Sequence, residues 1–229
     1  MSKLLRIVRL LFKILLCLTP WALRRPLLQR CFGYKFDDGA KIAALSWIYP
    51  DSLSMGPGSK IGSLNVAIHL HHMSLGESAS IARGNWITGH PKGSVKHFLH
   101  REARDPSFCL GRHSAITKSH LIDCTDRVQI GNFTTVAGYR SQFLTHSIDI
   151  YTNRQDCKPI IVGDYCFVGT GCVLLSGAVL PDRSVLGALS VLNKAHAEAC
   201  SLYAGNPARH IKQINESAAY FHRQNGYVY

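Results

Sequence analysis

Residues 162–191 read VGDYCF VGTGCV LLSGAV LPDRSV LGALSV. An aliphatic residue leads each block, Val162, Val168, Leu174, Leu180 and Leu186, and Leu192 continues the series. Four places after each lead stands a small residue: Cys166, Cys172, Ala178, Ser184 and Ser190. An α-helix turns about 100° per residue, so a period of six would carry the lead steadily round the cylinder. A chain that makes one short strand and one turn per block holds the register instead. Three blocks then close a triangular coil of about 18 residues, with leads inward and small residues at the corners. Gly163, Gly169 and Gly187, each following a lead, are expected to supply turn dihedrals.

The period extends toward the N-terminus. Leu75, Ile81 and Ile87 keep it, as do Leu110, Ile116 and Ile122. Ile130 and Val136 resume it after a two-residue offset near Asp126–Gln129, and Ile61 marks an earlier coil. Two segments break the rhythm and are expected to be ejected loops, 89–108 and 147–159. Such excursions from a solenoid commonly carry binding sites. The predicted organisation is all-β: a basic amphipathic helix over 1–33, a parallel β-helix over 34–211, and a short capping helix and tail over 212–229 that carries Tyr220, Phe221, Tyr227 and Tyr229.

The first thirty residues differ in composition from the rest. Lys3, Arg6, Arg9 and Lys13 recur at steps of 3, 3 and 4 and share one face of a helix. Leu4, Leu5, Val8, Leu11, Phe12, Leu15 and Leu16 spread over the remainder, and Trp21, Arg24, Arg25 and Arg30 follow. A basic stripe beside a broad apolar face describes a helix lying in a membrane interface that favours anionic lipid. The alternative is a helix packed on its own domain or on a neighbouring subunit. The longest uncharged run, Ile14–Leu23, is ten residues and contains Pro20. That is short of the roughly 20 residues a span needs. Lys13 also interrupts any signal-peptide core, and no small-residue cleavage site follows.

The chain has 229 residues, 26 Lys and Arg against 14 Asp and Glu, and an apolar fraction of 46%, which argues against disorder. The net charge of +12 points to an anionic partner. No aromatic-basic platform accompanies the cations, so nucleic acid is not expected. The eight cysteines form no CxxC pair and read as reduced thiols.

The hexads, Thr145-His146-Ser147-Ile148-Asp149, the run Gly187-Ala188-Leu189-Ser190-Val191-Leu192-Asn193-Lys194, and Ala204-Gly205-Asn206-Pro207-Ala208-Arg209 together resemble the hexapeptide-repeat sugar O-acetyltransferases. Maltose, galactoside and capsule or exopolysaccharide acetyltransferases belong to that family. The resemblance covers roughly residues 55 to 212. It implies a left-handed parallel β-helix, acetyl-CoA as donor, no metal, a sugar or glycan acceptor, and a homotrimer with the donor in clefts between subunits. It also implies His146 as general base, and a neutral imidazole suits that task near pH 7. His90 is the competing base. Asp149 would orient or charge-stabilise the imidazole, or serve turn structure alone. Thr170, Ala188 and Asn193 match positions along the pantetheine arm, and Lys194 and Arg209 match phosphate and adenine-end contacts. Asn193 stands where many members carry Thr. Lys118 stands where maltose-type members carry an acceptor-binding Asn, five residues before the aspartate that matches Asp123, so acceptor recognition is expected to differ. The basic N-terminal helix would suit a lipid-carried acceptor on the cytoplasmic face of the inner membrane.

Two further readings use the same fold. A zinc hydratase of the γ-carbonic anhydrase type would draw on His69, His71 and His72 or on His97 and His100, although His69 and His71 share a strand side that His72 does not. A non-catalytic scaffold would need none of these residues for chemistry.

Overall fold

The computed structural model describes residues 3–93 and 97–228, with side chains from Ile7 onward except that of Arg9. The expected roles of Lys3, Leu4, Leu5, Arg6, Arg9 and Tyr229 therefore concern side chains outside the described residues.

The chain winds as a left-handed parallel β-helix with three flat faces. Seven strands make the first face, from Lys35–Phe36 to Val179–Leu180, and seven make the third, from Trp47–Tyr49 to Val191–Leu192. The second face has nine, from Lys41–Ile42 to Arg209–Gln213. Successive strands of a face are parallel neighbours, as in Val162↔Leu180, Val168↔Leu186 and Leu174↔Leu192, each eighteen residues apart. Earlier coils are longer. Met55 pairs with Leu75 and Leu110 with Ile130, a step of twenty. All six C-terminal leads are at most 1% exposed. So are the five small corner residues.

Those corner residues solve a hydrogen-bonding problem. At a turn the ladder lapses, and a buried N–H needs another acceptor. Ser114 Oγ accepts from Thr134 N, and Thr134 Oγ1 accepts from Cys166 N. At the next corner Asn65 Oδ1 accepts from Asn85 N, Asn85 Oδ1 from His120 N, and His120 Nδ1 from Ser141 N.

The glycines after the leads act differently from the expectation. Gly163 and Gly169 do not have positive φ. A Cβ on Gly163 would lie 2.7 Å from Asp182 N, and one on Gly169 would lie 2.6 Å from Ala188 N. Close approach of the next coil is what excludes a side chain. The positive φ falls three places after each of the first five leads, at Tyr165, Gly171, Gly177, Arg183 and Leu189.

The N-terminal segment is two helices, α1 (Lys3–Leu18) and α2 (Trp21–Phe32), broken at Pro20. They cover the open end of the first coil. Leu16, Cys17, Arg24 and Leu28 are buried there. The Arg24 guanidinium donates to Ala43 O at 3.1 Å and to Ser46 O at 2.7 Å. Among the described residues no helix is long and apolar enough to cross a membrane. At the other end, Arg209–Gln213 adds an antiparallel strand to Ser201–Ala204, so strand structure runs past the expected boundary at 211. A short 3-10 helix, Ala219–His222, follows. The segment expected as the loop 147–159 is largely a β-hairpin, His146–Asp149 against Arg154–Cys157.

Candidate active site

The long excursions from the coil lie on one edge, where the third face turns into the first. Segment 89–108 leaves after Trp86–Thr88 and returns at Ser107–Leu110. One coil later the same edge carries Asp123–Arg127, and one coil after that the hairpin from His146 to Cys157. The pairing of Asp123 with Leu144 across adjacent strands brings the Asp123 carboxylate beneath Thr145 and His146.

That carboxylate is buried and heavily bonded. Oδ1 accepts from Thr125 N at 3.1 Å and Thr125 Oγ1 at 2.7 Å. Oδ2 accepts from Thr145 N, Thr145 Oγ1 and His146 N. Oδ2 also accepts from His146 Nδ1 at 2.7 Å. Burial by itself would raise the Asp123 carboxyl, but hydrogen bonds from His146, Thr125 and Thr145 outweigh it and hold it below the usual carboxylate range. In return the hydrogen bond to Asp123 raises the His146 imidazole above its ordinary value, against a smaller lowering by burial. The His146 side chain is 44% exposed. Its Nε2 has no partner among the described residues. With Nδ1–H committed to the carboxylate, the neutral ring presents the Nε2 lone pair outward.

The described part of the 89–108 segment packs against this pair. The Phe98 ring stands edge-on to the His146 ring, with centroids 6.3 Å apart. Arg104, itself buried, lies 4.9 Å from Phe98 and donates to Thr125 O at 2.8 Å and Pro91 O at 2.8 Å. Arg101 and Asp156 form a bidentate pair between this segment and the hairpin, one arm at 2.6 Å. Between them lies a cavity of about 530 Å³, walled by Phe98, Leu99, His100, Ile148, Arg154 and Gln155 among others. His90 meets His97 and Phe98 edge-on and, unlike His146, has no carboxylate partner among the described residues.

Asp149 does not reach His146. Its Oδ1 accepts from Tyr151 N at 2.9 Å and Thr152 N at 3.4 Å, closing the hairpin tip. A hydrogen bond from the Thr152 side chain and then that from Tyr151 N hold its carboxyl below the usual range. The orienting carboxylate is Asp123, which the sequence reading named only as a landmark near Lys118. The missed signal was Phe143 as a lead, which aligns Ile122 over Phe143 and so Asp123 beside Thr145.

The five positions assigned to the donor fall on two edges. Asn193 and Lys194, both exposed, follow the last third-face strand on the same edge as His146. Thr170, Ala188 and Arg209 belong to the edge between the second and third faces. Thr170 Oγ1 donates to Tyr139 O, Ala188 abuts Gly169 on the preceding coil, and Arg209 pairs with Ala204 above Gly187. Lys118 is exposed on that second edge as well. Among the described residues no three His, Cys, Asp or Glu side chains converge as metal ligands. His71 instead lies 3.8 Å from Asp51, and His72 Nδ1 lies 2.9 Å from Ser52 Oγ.

No protein-family model matches the chain, and no curated protein matches it. Solved structures do. A mutant of AntD, an N-acyltransferase from Bacillus cereus in complex with dTDP and coenzyme A, is 13% identical. The match covers 85% of this chain and 92% of that one, with a TM-score of 0.52. A hexapeptide-repeat-containing acetyltransferase, VCA0836 from Vibrio cholerae O1 biovar eltor, complexed with acetyl coenzyme A, is 20% identical. It matches over 89% of this chain and 84% of that one, with a TM-score of 0.47. The likeness to AntD is one of fold, the left-handed parallel β-helix.

Proposed function

We propose that the protein transfers the acetyl group of acetyl-CoA to a sugar hydroxyl of a polysaccharide or lipid-linked oligosaccharide precursor. One observation carries this reading, the half-exposed His146 imidazole held through Nδ1 by buried Asp123, with Nε2 left without a partner among the described residues. AntD, of the same fold, is an N-acyltransferase solved with coenzyme A, which supports a coenzyme A thioester as donor.

In this reaction His146 Nε2 takes the proton of the acceptor hydroxyl as its oxygen attacks the thioester carbonyl. Asp123 keeps the proton on Nδ1 and stabilises the imidazolium that forms. The tetrahedral oxyanion is met by backbone N–H donors. Its collapse breaks the carbon–sulfur bond, and the departing thiolate recovers the proton from Nε2. The products are an acetyl ester and coenzyme A. Lys194 and Arg209 are the cations for the donor's phosphates. One chain carries them on two different edges, so a complete donor cleft would form between copies in a homotrimer. Acetyl-CoA is cytosolic, which puts the reaction on the cytoplasmic face of the membrane.

The test is a thermal-shift titration with acetyl-CoA against ATP and a UDP-sugar, followed by turnover of wild type and His146→Ala. A ligand that binds only the native state raises the midpoint in a concentration-dependent way. Acetyl-CoA alone should shift it, and His146→Ala should keep the shift while losing about 100-fold or more in turnover. A folded protein that ignores acetyl-CoA, or a His146→Ala variant as fast as wild type, refutes the reading.

A further inference from the structure

Helix α1 is docked by the wrong face for a helix that serves only its own domain. Its packed side is Phe12, Leu16 and Cys17. Tyr49 Oη donates to Lys13 O at 2.9 Å, and Leu45 N donates to Cys17 O at 2.9 Å. The Lys13 ammonium lies 4.5 Å above the Tyr49 ring. The opposite side carries Ile7, Val8, Leu10, Leu11, Ile14, Leu15 and Leu18, each between 45% and 64% exposed. At about 100° per residue these seven cover roughly 160° of the helix, and no charged position between residues 7 and 18 falls within that arc. Leu23 of α2 is 62% exposed as well. An exposed contiguous patch of this size marks an interaction surface.

Charge decides what covers it. The sequence has eight Lys and Arg before its first acidic residue, Asp37, and of these Arg24 is turned into the body. A second copy docking here would bring two such sets together with no carboxylate from either segment between them. The structure adds a second positive feature. Directly after Leu18, residues Thr19, Pro20 and Trp21 wall a groove of about 490 Å³ with Ala43 and Ala82. Lys41 and Lys60 line it too, and they stand opposite each other on adjacent strands. Like charges so placed repel unless an anion sits between them. An apolar groove with paired ammonium groups, continuous in sequence with an outward apolar helix, matches the acyl chains and phosphates of an anionic bilayer surface.

We infer that the protein binds anionic phospholipid membranes peripherally, with α1 lying in the interface and its outward face among the acyl chains. Such helices sink roughly 5–10 Å into the headgroup boundary. Binding is independent of the acetyl-transfer reading and can fail or stand without it.

Full-length protein is sedimented with vesicles of phosphatidylcholine alone, and of phosphatidylcholine with about one third phosphatidylglycerol, at low and high salt. The comparison variant is Leu11→Glu/Leu15→Glu, whose sites are exposed and outward, so melting and oligomeric state serve as controls. Wild type should partition at least about tenfold better onto the anionic vesicles, less so at high salt. The variant should lose about tenfold or more while melting as wild type does. Equal partitioning of wild type and variant overturns the inference. So does an absence of vesicle binding, and so does a variant whose oligomeric state changes while vesicle binding does not, which would assign the face to a second copy.

Discussion

Replacing Asp123 by Asn keeps the shape of the side chain and removes its charge. The wild-type carboxylate accepts from two donors on Thr125 and from Thr145 N, Thr145 Oγ1, His146 N and His146 Nδ1. An amide can turn its oxygen to only one of these sets. If the oxygen faces His146, the new NH₂ confronts Thr125 N, a buried donor that loses its acceptor. An orphaned donor of this kind costs about 1–3 kcal/mol, so the melting midpoint should fall. The remaining bond to Nδ1 becomes neutral. Charge-assisted bonds contribute about 1.5–3 kcal/mol and neutral ones about 1, so the imidazolium loses about 0.5–2 kcal/mol of support. At 1.36 kcal/mol per decade the plateau kcat should fall roughly 2- to 30-fold. The pH profile gives an independent check. Asp123 raises His146, and a general base works only when unprotonated. Without the charge the acid limb of kcat should move to lower pH even as the plateau drops. The assay is acetyl-CoA-dependent turnover from pH 5 to 8.5 with the melting curve beside it. An unchanged plateau with the acid limb in place would show that Asp123 does not act through the reacting imidazole.

Leu174 is fully buried at the centre of the regular coils, and Leu174→Ala should cost about 2–5 kcal/mol in urea unfolding, whereas an exposed Leu189→Ala should cost far less. Burial pushes the His120 imidazole down to about 4, so NMR should find it neutral at pH 5.5. The unfolded chain takes up this proton near pH 6.5, earlier than the folded one. His120 therefore stabilises fully above that value and withdraws up to about 3 kcal/mol as the pH falls from 6.5 toward 4. Titration of His120 near 6.5 would contradict its place in the corner ladder.

The regular coils were legible because one property, an aliphatic residue every sixth position, is set locally and repeated. Every lead from Val162 to Leu192 is buried as that periodicity requires. His146 was legible through the residues around it. The partner of His146 was not, because Asp123 and His146 are neighbours only through a coil that is longer than three hexads. Asp149 looked closer, yet a strand direction carries it away along the hairpin. The sidedness of α1 was equally hidden. The wheel separates cations from apolar residues, but which apolar residues meet the body depends on where Tyr49 and Ser46 sit.

The position of Asp123 follows from the same physics that builds the corners. Each turn of this helix leaves buried N–H groups that a side chain must satisfy, and elsewhere neutral Ser, Thr and Asn do so. At the edge where the coil is interrupted, the hairpin and Thr125 together present more donors than one hydroxyl can accept. A carboxylate, with about four acceptor sites, meets the demand. Its charge is then available to the imidazole at no added structural strain, since the same bonds that fix the turn fix the carboxylate. The hydroxyl ladder stabilises the fold wherever it occurs, and the acid at position 123 is what sets this one corner apart, with a charge bonded to the His146 imidazole. A Ser or Thr there would be expected to restore part of the fold's stability relative to Ala while leaving the His146 acid limb where Asp123→Asn puts it.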